Sequence, residues 1–141
     1  MTDEGLVAKK LAFVVTCVHE LRTLARPELL ESDVRERRFI EHTLQIALQA
    51  CQDVASHIAS DEHLGEARTN QELFDLLAKA GWLDAALGVR LRRAIGFRNV
   101  LVHGYTDVDV AIVRDVLENR LDDLLIFAET VRSRLGRIDE P

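Results

Sequence analysis

The polar side chains with the clearest chemistry sit near residue 100. In the stretch GFRNVLVHGY, Gly96 to Tyr105, an arginine (Arg98), an asparagine (Asn99), a histidine (His103) and the chain's one tyrosine (Tyr105) fall close together. A guanidinium is a rigid fork of donors that matches phosphate oxygens and stays charged. An imidazole, with an ordinary pKa of ~6.5, exchanges protons near neutral pH. An amide beside them can orient the imidazole or bind substrate. This set has parts for holding a phosphodiester and moving its protons. Taken singly, each residue also has a plain reading: a buried or interfacial salt bridge for Arg98, a helix C-cap for His103, and a packed loop residue for Tyr105.

These residues are positioned by a helix. Its periodicity starts after Asp84 and ends near Val102, with Gly104 suited to a left-handed exit. At about 100° per residue, Leu87, Leu91, Ala94, Ile95, Leu101 and Val102 gather on one side. Arg98 falls near the centre of that apolar cluster, whereas Arg90, Arg92 and Arg93 fall outside it, where solvated arginines belong. An arginine in such a place needs a carboxylate, a group of backbone carbonyls or an anion, because desolvating an unpaired charge costs several kcal/mol. His103 is five positions on, about 140° away in a regular helix. A turn at Gly104 would let it swing back toward Arg98.

The rest of the chain is also helical in pattern. A first helix runs from about Leu6 to Ala25 with a stripe of Val7, Leu11, Val14, Val18 and Leu21. Leu6, Phe13, Cys17 and Leu24 lie on an adjoining face. A long second helix opens at Ser32 or Asp33 and continues to Ala59 or Ser60, with Ile40, Leu44, Ala47, Cys51, Val54 and Ile58 as its stripe. A short third covers Asn70 to Lys79, capped by Thr69 or Asn70 and stopped by Gly81. A last one starts after Asp107 or Asp109 and runs to Leu135, where Gly136 ends it. Its stripe is Val110, Val113, Leu117, Leu121, Leu124, Ala128, Val131 and Leu135. The expectation is an all-α, up-and-down bundle of about five helices forming a single domain over 1–141. Phe39, Ile46 and Ala50 make a second apolar patch on the long helix, for which a homodimer seam is the economical explanation.

Composition sets further bounds. The 141 residues are 48% hydrophobic, 30% charged and only 5% aromatic, as for a globular helical protein. No apolar run approaches the ~20 residues that span a bilayer, and MTDEGLVAKK lacks the pattern of a secretion signal. With Cys17 and Cys51 flanked by helical apolar sequence, buried thiols are expected rather than a disulfide framework. A cytoplasmic location follows as an expectation. The net charge of −6 argues against nonspecific nucleic-acid binding. Yet no acid lies between Asp84 and Asp107, where Arg90, Arg92, Arg93, Arg98 and His103 stand. That segment reads as a solvated basic face or as a phosphate site.

RNVLVH resembles the Arg-polar-x3-His signature of the HEPN superfamily, and HGY extends it to the Arg-x4-His-x-Tyr form of HepT-like toxins. QACQDVASHIAS resembles that family's second-helix segment. VDVAIVRDVLENRLDDL resembles the helix after its motif. The resemblance implies a homodimeric HEPN-like bundle that cleaves RNA without a metal or cofactor, with Arg98 and His103 catalytic and Asn99 orienting. It also implies a partner, an MntA-like nucleotidyltransferase antitoxin, that transfers AMP groups to Tyr105. Two motifs across a two-fold axis would supply one histidine as base and one as acid.

Asp53 and His57 stand four apart on the patch side of the long helix. They could line the same cleft, or form an ordinary surface pair. His19, His42 and His63 have no ligand spacing with cysteines or acids, so no metal site is expected. Two functions stay open: a toxin endoribonuclease, favoured by the intact motif, and a non-catalytic helical module that binds a nucleotide and a nucleotidyltransferase, favoured by the acidic charge.

Overall fold

The computed structural model describes residues 3–103 and 108–139, with the backbone alone over 137–139. Its described residues are helices and connections: α1 Glu4–Leu24, a 3-10 turn Pro27–Leu29, α2 Val34–Asp61, α3 Glu72–Lys79, α4 Ala85–His103, α5 Val110–Asn119 and α6 Leu121–Asp139. The all-α expectation holds.

Local chemistry explains the boundaries. Asp33, not Ser32, caps α2: its carboxylate accepts from the backbone N–H groups of Arg35 and Glu36. Asp84 caps the α4 start by accepting from Leu87 N at 2.7 Å. Thr69 Oγ1 accepts from Glu72 N, so α3 begins two residues later than Asn70. Gly81 takes a positive φ of 84°, and Trp82 N reaches back to Leu77 O at 2.9 Å, closing α3 as the sequence suggests.

Two expectations are corrected. The last helix is two helices. The chain breaks at Arg120, whose N–H bonds Val116 O, and Asn119 bonds Asp115 rather than extending a regular face. Asp122 and Asp123 then occupy the first turn of α6, where negative charge favours a helix start. A break of one residue leaves Leu117 and Leu121 in the same apolar stripe, so periodicity alone cannot reveal it. Gly136 does not stop α6, which continues to Asp139. A glycine inside a helix costs only about 1 kcal/mol relative to alanine.

One core joins the helices. Val7, Leu11, Val14, Val18 and Leu21 of α1 are buried against Ile40, Leu44, Ala47, Cys51, Val54 and Ile58 of α2, with Phe74 and Phe127 meeting at 5.8 Å between ring centroids. Polar ties cross between helices: Arg22 to Asp122 at 2.6 Å, and Arg114 to Glu31 at 3.1 Å. Arg134 lies over the Trp82 ring, 4.8 Å from its centroid. Cys17 joins the core as a free thiol beside α2, as does Cys51. Burial, helped by Glu20, raises the Cys17 thiol from 9.0 to about 11, and burial raises Cys51 as well.

The second patch is partly covered from within. Ala50 is buried, and Phe39 and Ile46 pack against the core at its edge. What remains open is a groove of 440 Å³ where Leu6 and Phe13 of α1 face Ile46 and Ala50 of α2. Phe13 is 43% exposed there.

Candidate phosphate site on α4

The first half of α4 is a core helix, and the second half is not. Leu87, Gly88, Leu91 and Ile95 are buried, whereas residues from Gly96 to Val102 are half-buried or exposed. Arg98 is the next position on the buried side, so its side chain emerges at the edge of the core against α2.

There, among the described residues, the guanidinium meets neither a carboxylate nor backbone carbonyls. One terminal nitrogen donates to Gln49 Oε1 on α2, and the other donates to Asn99 Oδ1 at 3.0 Å. Its Nε is enclosed and has no partner among the described residues. Gln49 Nε2 in turn donates to Asp53 Oδ1 at 2.9 Å, and Lys10 of α1 donates to Asp53 Oδ2 at 3.1 Å. A single chain of bonds therefore runs Lys10, Asp53, Gln49, Arg98, Asn99 across three helices. Two neutral amide oxygens anchor Arg98 without cancelling its charge. An enclosed donor left unmade costs about 1–3 kcal/mol.

The other anticipated residues fall as follows. Asn99 holds Arg98 rather than His103 among the bonds described. Asp53 reaches the arginine through Gln49. His57 is half-buried and does not pair with Asp53, which bonds Lys10 and Gln49 instead. His103 lies exposed in the last turn of α4 and does not join the chain of bonds. Gly104, on which its return toward Arg98 depends, lies outside the described residues, as do Tyr105 and Asp107.

The basic run on α4 is also revised. Arg90 is tied to Asp123 at 2.9 Å, and Arg92 is tied to Asp75. They link α4 to α6 and α3, while Arg92 and Arg93 stay exposed, as expected of arginines outside the stripe. The acids that balance Arg90 and Arg92 come from elsewhere in the sequence, so a count along α4 overstates its positive charge. Arg98 has no acidic partner among the described residues.

Sequence reasoning missed Gln49 and Lys10. Gln49 had a signal, since glutamine and aspartate four apart on a helix bond readily. Lys10 had none, because it stands 43 residues from Asp53. Beside the motif, Leu101, Val102 and Val108 line a cavity of 560 Å³ with Arg38, His42 and Gln45 of α2. A larger cavity, 680 Å³ around Ser60, His63 and Thr69, includes no motif residue. Among the described residues no three His, Cys, Asp or Glu side chains gather as a metal-binding group, and no helix is long and apolar enough to cross a membrane.

Comparison with known proteins follows this geometry. The chain is 25% identical over 129 residues to the mRNA nuclease HepT of Shewanella oneidensis, an alignment spanning 91% of this chain and 97% of the relative. It is 30% identical over 109 residues to the tRNA nuclease HepT of Aphanizomenon flos-aquae, covering 77% and 74% of the two chains. Its fold matches the tri-AMPylated Shewanella oneidensis HEPN toxin, solved in complex with MNT antitoxin, with a TM-score of 0.84 at 25% identity, over 94% of this chain and 99% of that one. The sequence model of the family described as Ribonuclease HepT-like matches residues 15–131. This chain belongs to the HepT-like ribonuclease family.

Proposed function

We propose that the protein is the toxin of a toxin–antitoxin pair, an endoribonuclease that cuts RNA without a metal or cofactor at a homodimer cleft. Arg98 and His103 carry the cleavage. Asn99, Asp53 and His57 bind or orient. The whole of 1–141 makes one such helical unit, acting in the cytoplasm. The observation that carries the reading is the Arg98 guanidinium, held by two amide oxygens and with no acidic partner among the described residues. Two relatives are named as nucleases of mRNA and tRNA, which supports RNA as the substrate.

Cleavage through the ribose 2′-hydroxyl needs a base to take its proton, an acid to protonate the departing 5′ oxygen, and charge stabilisation at phosphorus. Arg98 supplies the last by donating to the non-bridging oxygens. His103 of one protomer serves as base and the equivalent residue of a second copy as acid. The open groove of Leu6, Phe13, Ile46 and Ala50 supplies apolar surface for such a pairing.

Control comes from an MntA-like nucleotidyltransferase antitoxin that transfers AMP groups to Tyr105. The complex of the AMP-carrying Shewanella toxin with MNT antitoxin supports this. A bulky anion two residues from His103 would fill the phosphate site and repel RNA.

The test is RNA incubated in EDTA with the purified chain, Arg98→Ala and His103→Ala. The parent is expected to cut, and each variant to lose at least about a hundredfold in rate. No cleavage by the parent, or equal cleavage by all three, removes the nuclease reading. A fully active forced monomer removes the dimer cleft.

A further inference from the structure

We propose that Gln49 is the positioning residue for Arg98: its amide oxygen holds the guanidinium at the phosphate site, and Asp53, neutralised by Lys10, fixes which end of that amide faces the arginine. The role of Gln49 in cleavage rests on the nuclease reading above; the clamp itself does not.

The donor and acceptor inventory makes the direction of the chain unambiguous. Lys10 only donates, and an ionised Asp53 only accepts. Asp53 therefore takes the NH₂ end of Gln49, at 2.9 Å from Oδ1, while Lys10 sits 3.1 Å from Oδ2. The amide is left with its oxygen toward Arg98, which only donates. A flipped amide would set its NH₂ against a guanidinium and its oxygen against the Asp53 carboxylate, pairing donor with donor and acceptor with acceptor.

The choice of an amide has a consequence for charge. A carboxylate at 49 would also accept from the fork, but it would lose the bond to Asp53 and would offset the charge of the fork. An amide oxygen holds it and leaves the full positive charge for phosphate. Asp53 and Lys10 cancel one another a residue away, so the support adds no net charge to the site. Asn99 braces the second terminal nitrogen.

The test uses the full chain and two variants, Gln49→Met and Gln49→Glu, with two readouts. One is RNA cleavage in EDTA. The other is the NMR signal of the Arg98 Nε–H, assigned by its loss in Arg98→Lys. Gln49→Met is expected to collapse that signal into the exchange-broadened arginine envelope and to lower kcat about tenfold or more. Gln49→Glu is expected to keep the signal distinct, because the carboxylate still accepts from the fork, and to lower the rate, because its negative charge offsets that of the arginine. That split is one a merely structural residue would not show. An unchanged signal in Gln49→Met overturns the clamp, and an unchanged rate overturns its role in cleavage. If Gln49→Met does not fold, Gln49→Glu decides: parental cleavage overturns the proposal, and a slowed chain with its Arg98 signal intact supports it. If the parent chain cuts no RNA, the nuclease reading falls and the Arg98 signal alone decides the clamp.

Discussion

At the scale of single residues, the site depends on what Arg98 touches. A carboxylate partner would have made it a structural ion pair. Amide partners make it a held charge with capacity left over. The fork matters as much as the charge, because it reaches Gln49 and Asn99 at once. Arg98→Lys keeps a cation but has one donor centre and no plane. It is expected to lower kcat/KM on RNA by roughly a hundredfold while leaving the Tm nearly unchanged, as steady-state kinetics and a thermal melt would show. Near-parental cleavage would mean that a point charge suffices.

At the scale of elements, α4 has to be gripped from two sides before its far end can present anything. Gly88 allows the close approach of α3: a Cβ there would meet Ala78 Cβ at 3.0 Å and Phe74 O at 3.6 Å. Gly88→Val is therefore expected to cost about 1–3 kcal/mol through overpacking, read as a lower midpoint in urea. Gly96 offers the comparison. A Cβ there meets only the tip of the Gln71 side chain, at 2.9 Å, which can move aside. Gly96→Ala should stabilise by up to about 1 kcal/mol, less the cost of displacing Gln71 from Arg92 O. Equal effects of the two substitutions would show that helix propensity, not packing, decides at both. Arg90 and Arg92 complete the grip through Asp123 and Asp75.

At the scale of the whole molecule, the core encloses two thiols between α1 and α2. In the folded chain they stay protonated, while in the unfolded chain they ionise near their ordinary value. Folding stability is thus unaffected by them below pH 9.0. It falls as pH rises from 9.0 toward about 11 for Cys17, with Cys51 adding to the loss. The slope approaches about 1.4 kcal/mol per pH unit for each thiol that ionises only when unfolded. Urea midpoints between pH 8 and 10.5 are expected to fall less steeply for Cys17→Ala than for the parent. Parallel curves would show that Cys17 ionises equally in both states.

Much of this protein was legible in one dimension. Apolar residues three and four apart placed the stripes of α1, α2 and α4, because a helix face repeats with the period of its backbone. Asp84 and Gly81 marked helix ends through bonds to their own neighbours. Arg98 stood out because charge in an apolar stripe is costly wherever the chain folds. Only the tertiary structure decided the rest. The break at Arg120 leaves the stripe in phase, so periodicity passes over it. The ties of Arg90 and Arg92 to distant acids depend on how helices pack, which no local rule contains. The same holds for the support of Arg98: Lys10, Gln49 and Asn99 come from three helices, and only packing brings their donors and acceptors within bonding distance.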